Sequence, residues 1–170
     1  VQHYDTFFYP LDSVSQWNKI YGSRGFLQWQ CVVPAGERGE VMKEILARIT
    51  QSGFASFLAV LKMFGSVPAE GLLSFPTEGL TLALDFPNEG APLYKLLDEV
   101  DGIVIQNGGR IYPAKDARMS GETFRRSFPK VELFEKFVDP KFSSSFYRRV
   151  MAGGRELAPD AASQAFQTAI

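Results

Sequence analysis

Two stretches of the chain alternate apolar and polar residues with a period of two, a third is an apolar run interrupted by one lysine, a short fourth ends at a proline, and two others carry apolar residues at helical spacing. The first strand pattern is Phe26–Val33, with Phe26, Gln28 and Gln30 on one face and Leu27, Trp29, Cys31 and Val33 on the other. Pro34 ends it, and Gly36 and Gly39 lead to a helical stripe of Val41, Met42, Ile45, Leu46 and Ile49 that Ser52-Gly53 terminates. A second strand is predicted over Phe57–Phe64, where Lys62 shares a face with Leu58, Val60 and Phe64. After a loop at 65–79 rich in Gly, Pro and Ser, Leu80–Phe86 alternates again. Leu80, Leu82, Leu84 and Phe86 make its greasy face, and Thr81, Ala83 and Asp85 the small or polar one. Pro87 and Pro92 flank a turn. Leu93, Leu96, Leu97, Val100 and either Ile103 or Val104 then mark a second amphipathic helix, stopped by Asn107-Gly108-Gly109. A short fourth strand follows, ended by Pro113, and delivers Lys115, Asp116 and Arg118 in quick succession.

The order strand, helix, strand, strand, helix, strand is that of an α+β fold with a ferredoxin-like split βαββαβ antiparallel sheet. Its two helices cover one face of the sheet. The leucine-rich faces point most economically to those helices, so the opposite face presents Gln28, Gln30, Lys62, Phe64, Thr81 and Ala83, with Lys115 emerging just beyond it. Residues 1–25 read as an N-terminal arm or leading helix. Leu11, Val14, Trp17 and Tyr21 have helical spacing there, and Asp12 or Ser13 stands ready as cap. Residues 26–115 form the ferredoxin-like core. Residues 116–152 form a C-terminal helical extension, with Ser120–Thr123 as a helix start and with Phe124, Phe128, Leu133, Phe134, Phe137, Phe146, Tyr147 and Val150 as apolar contacts. The tail at 153–170, rich in Ala and Gln, is the segment least constrained to order.

Composition narrows the classes. The 170 residues suffice for one domain with a real core and are short for two. A net charge of -1 supplies no general drive toward nucleic acid or anionic lipid. The lone Cys31 excludes an internal disulfide framework and fits a reducing, cytoplasmic setting. The lone His3, near a terminus, leaves a His-rich metal site and a Ser-His-Asp triad unsupported. No apolar run approaches the length of about 18 residues that a membrane-spanning helix needs. Beginning at Val1, the chain reads as a processed product or as part of a larger protein.

Chemistry enters through the open face. Gln28 and Gln30, two residues apart, point the same way and offer directional donors and acceptors suited to hydroxyl groups or a heterocycle. Hydrogen bonding to solvent or to a packed neighbouring domain is the commoner explanation of such a pair. Lys62 suits an anion or an aromatic ligand, and also simple snorkelling past Phe64. Lys115 suits stabilisation of developing negative charge in a dry site, and also a pair with Asp116 or a cap to the following turn. Cys31, on the helix-facing side, reads as core rather than nucleophile, and Arg125-Arg126 and Arg148-Arg149 read as short surface basic pairs.

The stretches FFYPLDSVSQWNKIYGSRGFLQWQCVVP, SFLAVLKMFG, LLSFPTEGLTLALDFP, GGRIYPAKDARMS and ETFRRSFP occur in an order that resembles the C-terminal substrate domain of FAD-linked oxidases of the vanillyl-alcohol-oxidase type. The branch resembled is the one acting on polyprenyl-phosphoryl pentoses, and the likeness spans roughly residues 7–150. It implies a flavin-covering, substrate-binding domain of an oxidoreductase that oxidises a secondary alcohol of a sugar or polyol by hydride transfer to flavin N5. In that pattern Lys115 is the flavin-contacting, catalytic lysine. Gln30 also touches the cofactor, and Gln28, Gln30, Lys62, Phe64, Thr81 and Ala83 surround the substrate. Thr81 and Ala83 depart from a mycobacterial member of the branch, which carries asparagine and cysteine there, so no thiol chemistry is implied on the third strand and Thr81 leaves the particular pentose substrate open. FAD is expected to be held mainly by an N-terminal domain absent from this chain, leaving the chain alone inactive. The implied partners are that FAD-binding domain, the sugar or polyol, and an epimerase reductase component, with peripheral contact to a membrane as a further expectation. Two other readings stay open from the residues themselves: a standalone small-molecule binding or regulatory module, and a dimerisation domain.

Overall fold

Alternation and helical spacing become real elements where an apolar face is buried against another. In the computed structural model, which describes residues 1–36, 39–115, 118–139 and 141–152, the core is built from β1 (Phe26–Val33), α2 (Glu40–Ser52), β2 (Leu58–Phe64), β3 (Gly79–Pro87), α3 (Ala91–Gln106) and β4 (Arg110–Ile111). A short α1 (Tyr4–Phe8) precedes them, and α4 (Gly121–Ser127), α5 (Val131–Glu135) and α6 (Ser145–Met151) follow. The sheet order is β2-β3-β1-β4 and every pairing is antiparallel. This is the split βαββαβ arrangement predicted from the pattern, in which β3 inserts between the two strands joined by α2.

Register fixes which side chains share a face. On β1 and β3, Leu27 lies opposite Phe86, Trp29 opposite Leu84, Cys31 opposite Leu82 and Val33 opposite Leu80. These pack with Met42, Ile45 and Ile49 of α2 and Leu93, Leu96, Leu97, Val100 and Val104 of α3 into one core. Fully burying a Leu, Ile or Phe side chain contributes about 1.5–3 kcal/mol, so this layer is what holds the sheet flat against its helices. The helix ends obey local chemistry. Gly53 closes α2 in the left-handed conformation, and Ser120 and Ser144 cap α4 and α6 through their hydroxyls.

Two features differ from the sequence reading. The arm does not form one helix over Leu11 to Tyr21: it makes 3-10 turns at Pro10–Ser13 and Trp17–Tyr21, separated by Gln16 at φ 55°. Ser13 hydrogen-bonds back to the Pro10 carbonyl at 2.7 Å, which closes a tight turn in place of capping a helix. The second difference is at the sheet margin, where Ala59, Leu61 and Met63 of the edge strand β2 are exposed on the side where α2 and α3 cover the central strands. Within α2, Leu46 lies outside the buried stripe, 38% exposed. The predicted tail at 153–170 and Asp116 lie outside the described residues. Among the described residues no helix is long and apolar enough to cross a membrane.

Candidate functional site

The register gathers polar side chains on the open sheet face. Gln28 of β1 lies opposite Asp85 of β3, Gln30 opposite Ala83, and Thr81 opposite Lys62 of β2. Together with Leu58, Val60 and Lys115 these side chains line one hollow of about 520 Å³, part of it open to solvent. Gln28, Gln30, Lys62, Thr81, Ala83 and Lys115 are thus brought together from sites up to 87 positions apart in the chain. Phe64 is not part of that lining. It stands at the end of β2 opposite Gly79, in an aromatic group in which Phe75 meets it edge-on at 6.1 Å and stacks on Tyr112 at 4.5 Å.

Lys115 reaches the hollow because the chain turns sharply after β4. Tyr112 donates its backbone N–H to the Gln30 carbonyl, and a 3-10 turn at Pro113–Lys115 follows. The Lys115 ammonium then donates to Gln28 Oε1 at 3.0 Å. Gln28 Nε2 donates to Asp85 Oδ1 at 3.0 Å, and the Tyr21 hydroxyl approaches Asp85 Oδ2 at 3.5 Å. Gln30 Nε2 donates to the hydroxyl of Thr81, which is itself buried, at 3.1 Å. Both amides are therefore oriented by partners within the sheet. Lys62 is exposed at the rim.

Burial and the Asp85 carboxylate push the Tyr21 phenol up to about 12, burial being the larger cause. Neither Asp85 nor Tyr21 stands out as a site residue in the sequence. Alternation places Asp85 on the right face, but only the register shows that it meets Gln28, and Tyr21 arrives from the arm. Behind the sheet, Arg118 secures the segment after Lys115 to α3 through an ion pair with Asp98 and one of 2.8 Å with buried Asp101. Asp101 also accepts from Trp29 Nε1 at 2.7 Å, on the strand between the two glutamines. Burial raises the Asp101 carboxyl, while Arg118 and the Trp29 N–H oppose that shift. Cys31 is fully buried on the helix side and burial pushes its thiol up to about 12, so it belongs to the core and not to the hollow. The basic pairs serve local packing: Arg125 caps the Met151 carbonyl, Arg126 lies 3.8 Å from Glu122, and Arg149 sits over the Phe146 ring. No group of His, Cys, Asp or Glu suited to a metal ion occurs among the described residues.

No protein-family model matches the chain. Over 155 residues it is 42% identical to decaprenylphosphoryl-beta-D-ribose oxidase of Mycolicibacterium smegmatis, a match covering 88% of this chain and 33% of that enzyme. The chain is a homologue of one part of this oxidase. The resemblance to FAD-linked oxidases of the vanillyl-alcohol-oxidase type that the sequence motifs carry is thereby borne out. An uncharacterised protein from the 5' region of mprA in Streptomyces coelicolor is 34% identical over 131 residues, 74% of this chain and 35% of that protein. The chain spans about a third of the length of both relatives.

Proposed function

We propose that this chain forms the substrate-side half of an FAD-dependent oxidoreductase acting on a secondary alcohol of a sugar or polyol, a polyprenyl-phosphoryl pentose being one candidate. The observation that supports this most is the convergence of a lysine and two oriented amides in one hollow on the open sheet face of a chain homologous to an oxidase. The donor set suits a flavin: a cation for an electron-rich ring edge and amides for its heteroatoms and for substrate hydroxyls. Lys115 and Gln30 would contact FAD, and Gln28, Gln30, Lys62, Phe64, Thr81 and Ala83 would surround the substrate.

Bound FAD supplies the hydride acceptor, N5, for oxidation of the alcohol carbon. Lys115 holds a fixed positive charge beside the site where negative charge develops, and such preorganised charge is most effective where water is excluded. Gln28 and Gln30, fixed by Asp85 and Thr81, orient the reacting alcohol without moving during the reaction. Lys62 at the rim suits an anionic part of the substrate, and the Phe64, Phe75 and Tyr112 rings suit an apolar one. In this reading residues 26–115 are the substrate domain proper, preceded by the arm and followed by the helical extension. FAD is gripped mainly by a separate domain, the chain alone is inactive, and an epimerase reductase component takes up the product in the cytoplasm or at its membrane border.

The test is flavin reduction in the protein that joins this chain to its FAD-binding domain, with phosphorylated pentoses and other polyols as substrates. Lys115→Ala is expected to slow reduction at saturating substrate by about 100-fold or more, as removal of a preorganised charge does, while leaving the unfolding transition near that of the parent. An unchanged reduction rate would remove Lys115 from the assigned role.

A further inference from the structure

A carboxylate buried in the middle of a sheet face is costly unless its oxygens are hydrogen-bonded, and nothing about pairing β1, β2 and β3 requires one. Asp85 is nonetheless 3% exposed, held between Gln28 of β1 and Leu58 of β2 in the register. Its backbone N–H is tied to the Ser56 hydroxyl at 3.0 Å, Ser56 in turn donating to the Leu58 carbonyl at 2.6 Å. Both carboxylate oxygens face polar partners: Oδ1 takes Gln28 Nε2 and Oδ2 faces the Tyr21 hydroxyl. Tyr21 is itself fixed by stacking on Phe26 at 4.3 Å and by the edge of Phe57 at 5.4 Å.

The chemistry of the partners settles the direction of the chain of bonds. An ammonium only donates and an ionised carboxylate only accepts, so an amide between them must turn its carbonyl to the first and its NH2 to the second. Gln28 does so, with Oε1 on Lys115 and Nε2 on Asp85. A carboxylate in direct contact with Lys115 would cancel much of the charge for which a working lysine is placed. The neutral amide passes on orientation while keeping the opposite charges one group apart.

We propose that Asp85, braced by Tyr21, is a positioning residue that fixes the Gln28 amide and through it places the Lys115 ammonium in the hollow. The importance of that placement for oxidation rests on the oxidoreductase reading above, but the relay itself can be examined without flavin. Nuclear magnetic resonance of the side-chain amide of Gln28 and the ε-methylene of Lys115, in the full 170-residue chain, provides the measurement.

In the parent chain the Gln28 NH2 resonances are expected apart from those of solvated glutamines, and the two Lys115 ε-protons inequivalent. Asp85→Asn, which offers either a donor or an acceptor to Gln28, should raise solvent exchange of the Gln28 NH2 by about tenfold, the scale of one lost charge-assisted hydrogen bond, and make the Lys115 ε-protons equivalent. Gln28→Leu should do the same to Lys115, and adding Asp85→Asn to it should change Lys115 no further. Lys115→Met, on a partly exposed side chain that the fold does not need, should leave the Gln28 NH2 in place. The proposal is overturned if Lys115→Met alone frees the Gln28 amide, or if Asp85→Asn alters Lys115 equally with and without Gln28. Should Asp85→Asn lose the dispersed backbone spectrum of a folded chain, the Lys115→Met arm still decides who orients whom. Because none of these readouts involves flavin, their failure is distinct from a failure of the oxidoreductase reading, which is judged on flavin reduction alone.

Discussion

Tyr21 reports on the site from its far end. Its phenol is pushed from the ordinary value of 10.0 to about 12, first by burial and then by the charge of Asp85 and the hydrogen bond to it. A group that keeps its proton to higher pH in the fold than in the unfolded chain contributes stability that is fully present below pH 10 and is lost as pH rises toward 12. Phenolate absorbance followed through an alkaline titration should therefore show Tyr21 ionising late, together with loss of the fold, beside Tyr147, whose phenol burial and Glu135 also raise. Asp85→Asn should bring the Tyr21 midpoint down without returning it to the ordinary value, because burial is the larger cause; a full return would mean that the carboxylate, not burial, dominates. The same pair of residues marks how far side-chain roles are legible in sequence. Gln28, Gln30 and Lys62 stand out as polar residues on one face of the strands, with Lys115 just past the last of them, whereas Asp85 and Tyr21 acquire their part only through contacts across 57 and 64 positions.

Elements were the most legible level, because burial imposes its period on the sequence wherever a strand or helix has one wet side. β1, α2, β3 and α3 all occur where the alternation and the apolar stripes put them. The arm was not legible, since its aromatics are largely exposed and Gln16 breaks the turn, so the helical spacing of Val14, Trp17 and Tyr21 corresponds to no common buried face. Strand pairing left one sharp local signature. Gly79 opens β3 at φ 147°, and a side chain there would run into the Val33 carbonyl at the end of β1. Gly79→Ala should cost about 3 kcal/mol or more, since backbone strain and a backbone clash add, and urea denaturation would reveal it. A loss below about 0.5 kcal/mol, the range of ordinary surface changes, would show that the two strand ends separate freely. The tether behind the sheet belongs to this scale as well. Arg118→Met leaves Asp101 buried without its cation and is expected to cost about 3 kcal/mol, the low end for breaking a buried pair because Asp98 is 36% exposed. It should also alter the environment of Trp29, which fluorescence would detect.

At the scale of the molecule the two sides of the sheet have different occupations. One is packed by α2 and α3, and the other holds the hollow, with Tyr21 of the arm against Asp85 and Phe75 of the loop at 65–79 against Phe64 and Tyr112. The arm keeps Tyr4, Phe7, Phe8 and Tyr9 exposed, at 56–67% of their surface. That the chain spans about a third of its relatives gives such a surface a natural reading within the proposed function, as ground for another part of a larger enzyme. The margin of the sheet carries a different consequence. Leu61 and Met63 of β2 are 55% and 69% exposed, on a strand that among the described residues pairs only with β3. An apolar flank beside an unpaired strand edge favours contact between copies, so the limit on handling this chain at high concentration should be colloidal rather than conformational. Sulfate strengthens apolar burial and should bring the chain out of solution early, at a concentration where its unfolding temperature is still rising. Replacing Leu61 and Met63 by lysine and glutamate should raise its solubility severalfold in static light scattering, while the resonances of Gln28 and Lys115 stay where they were.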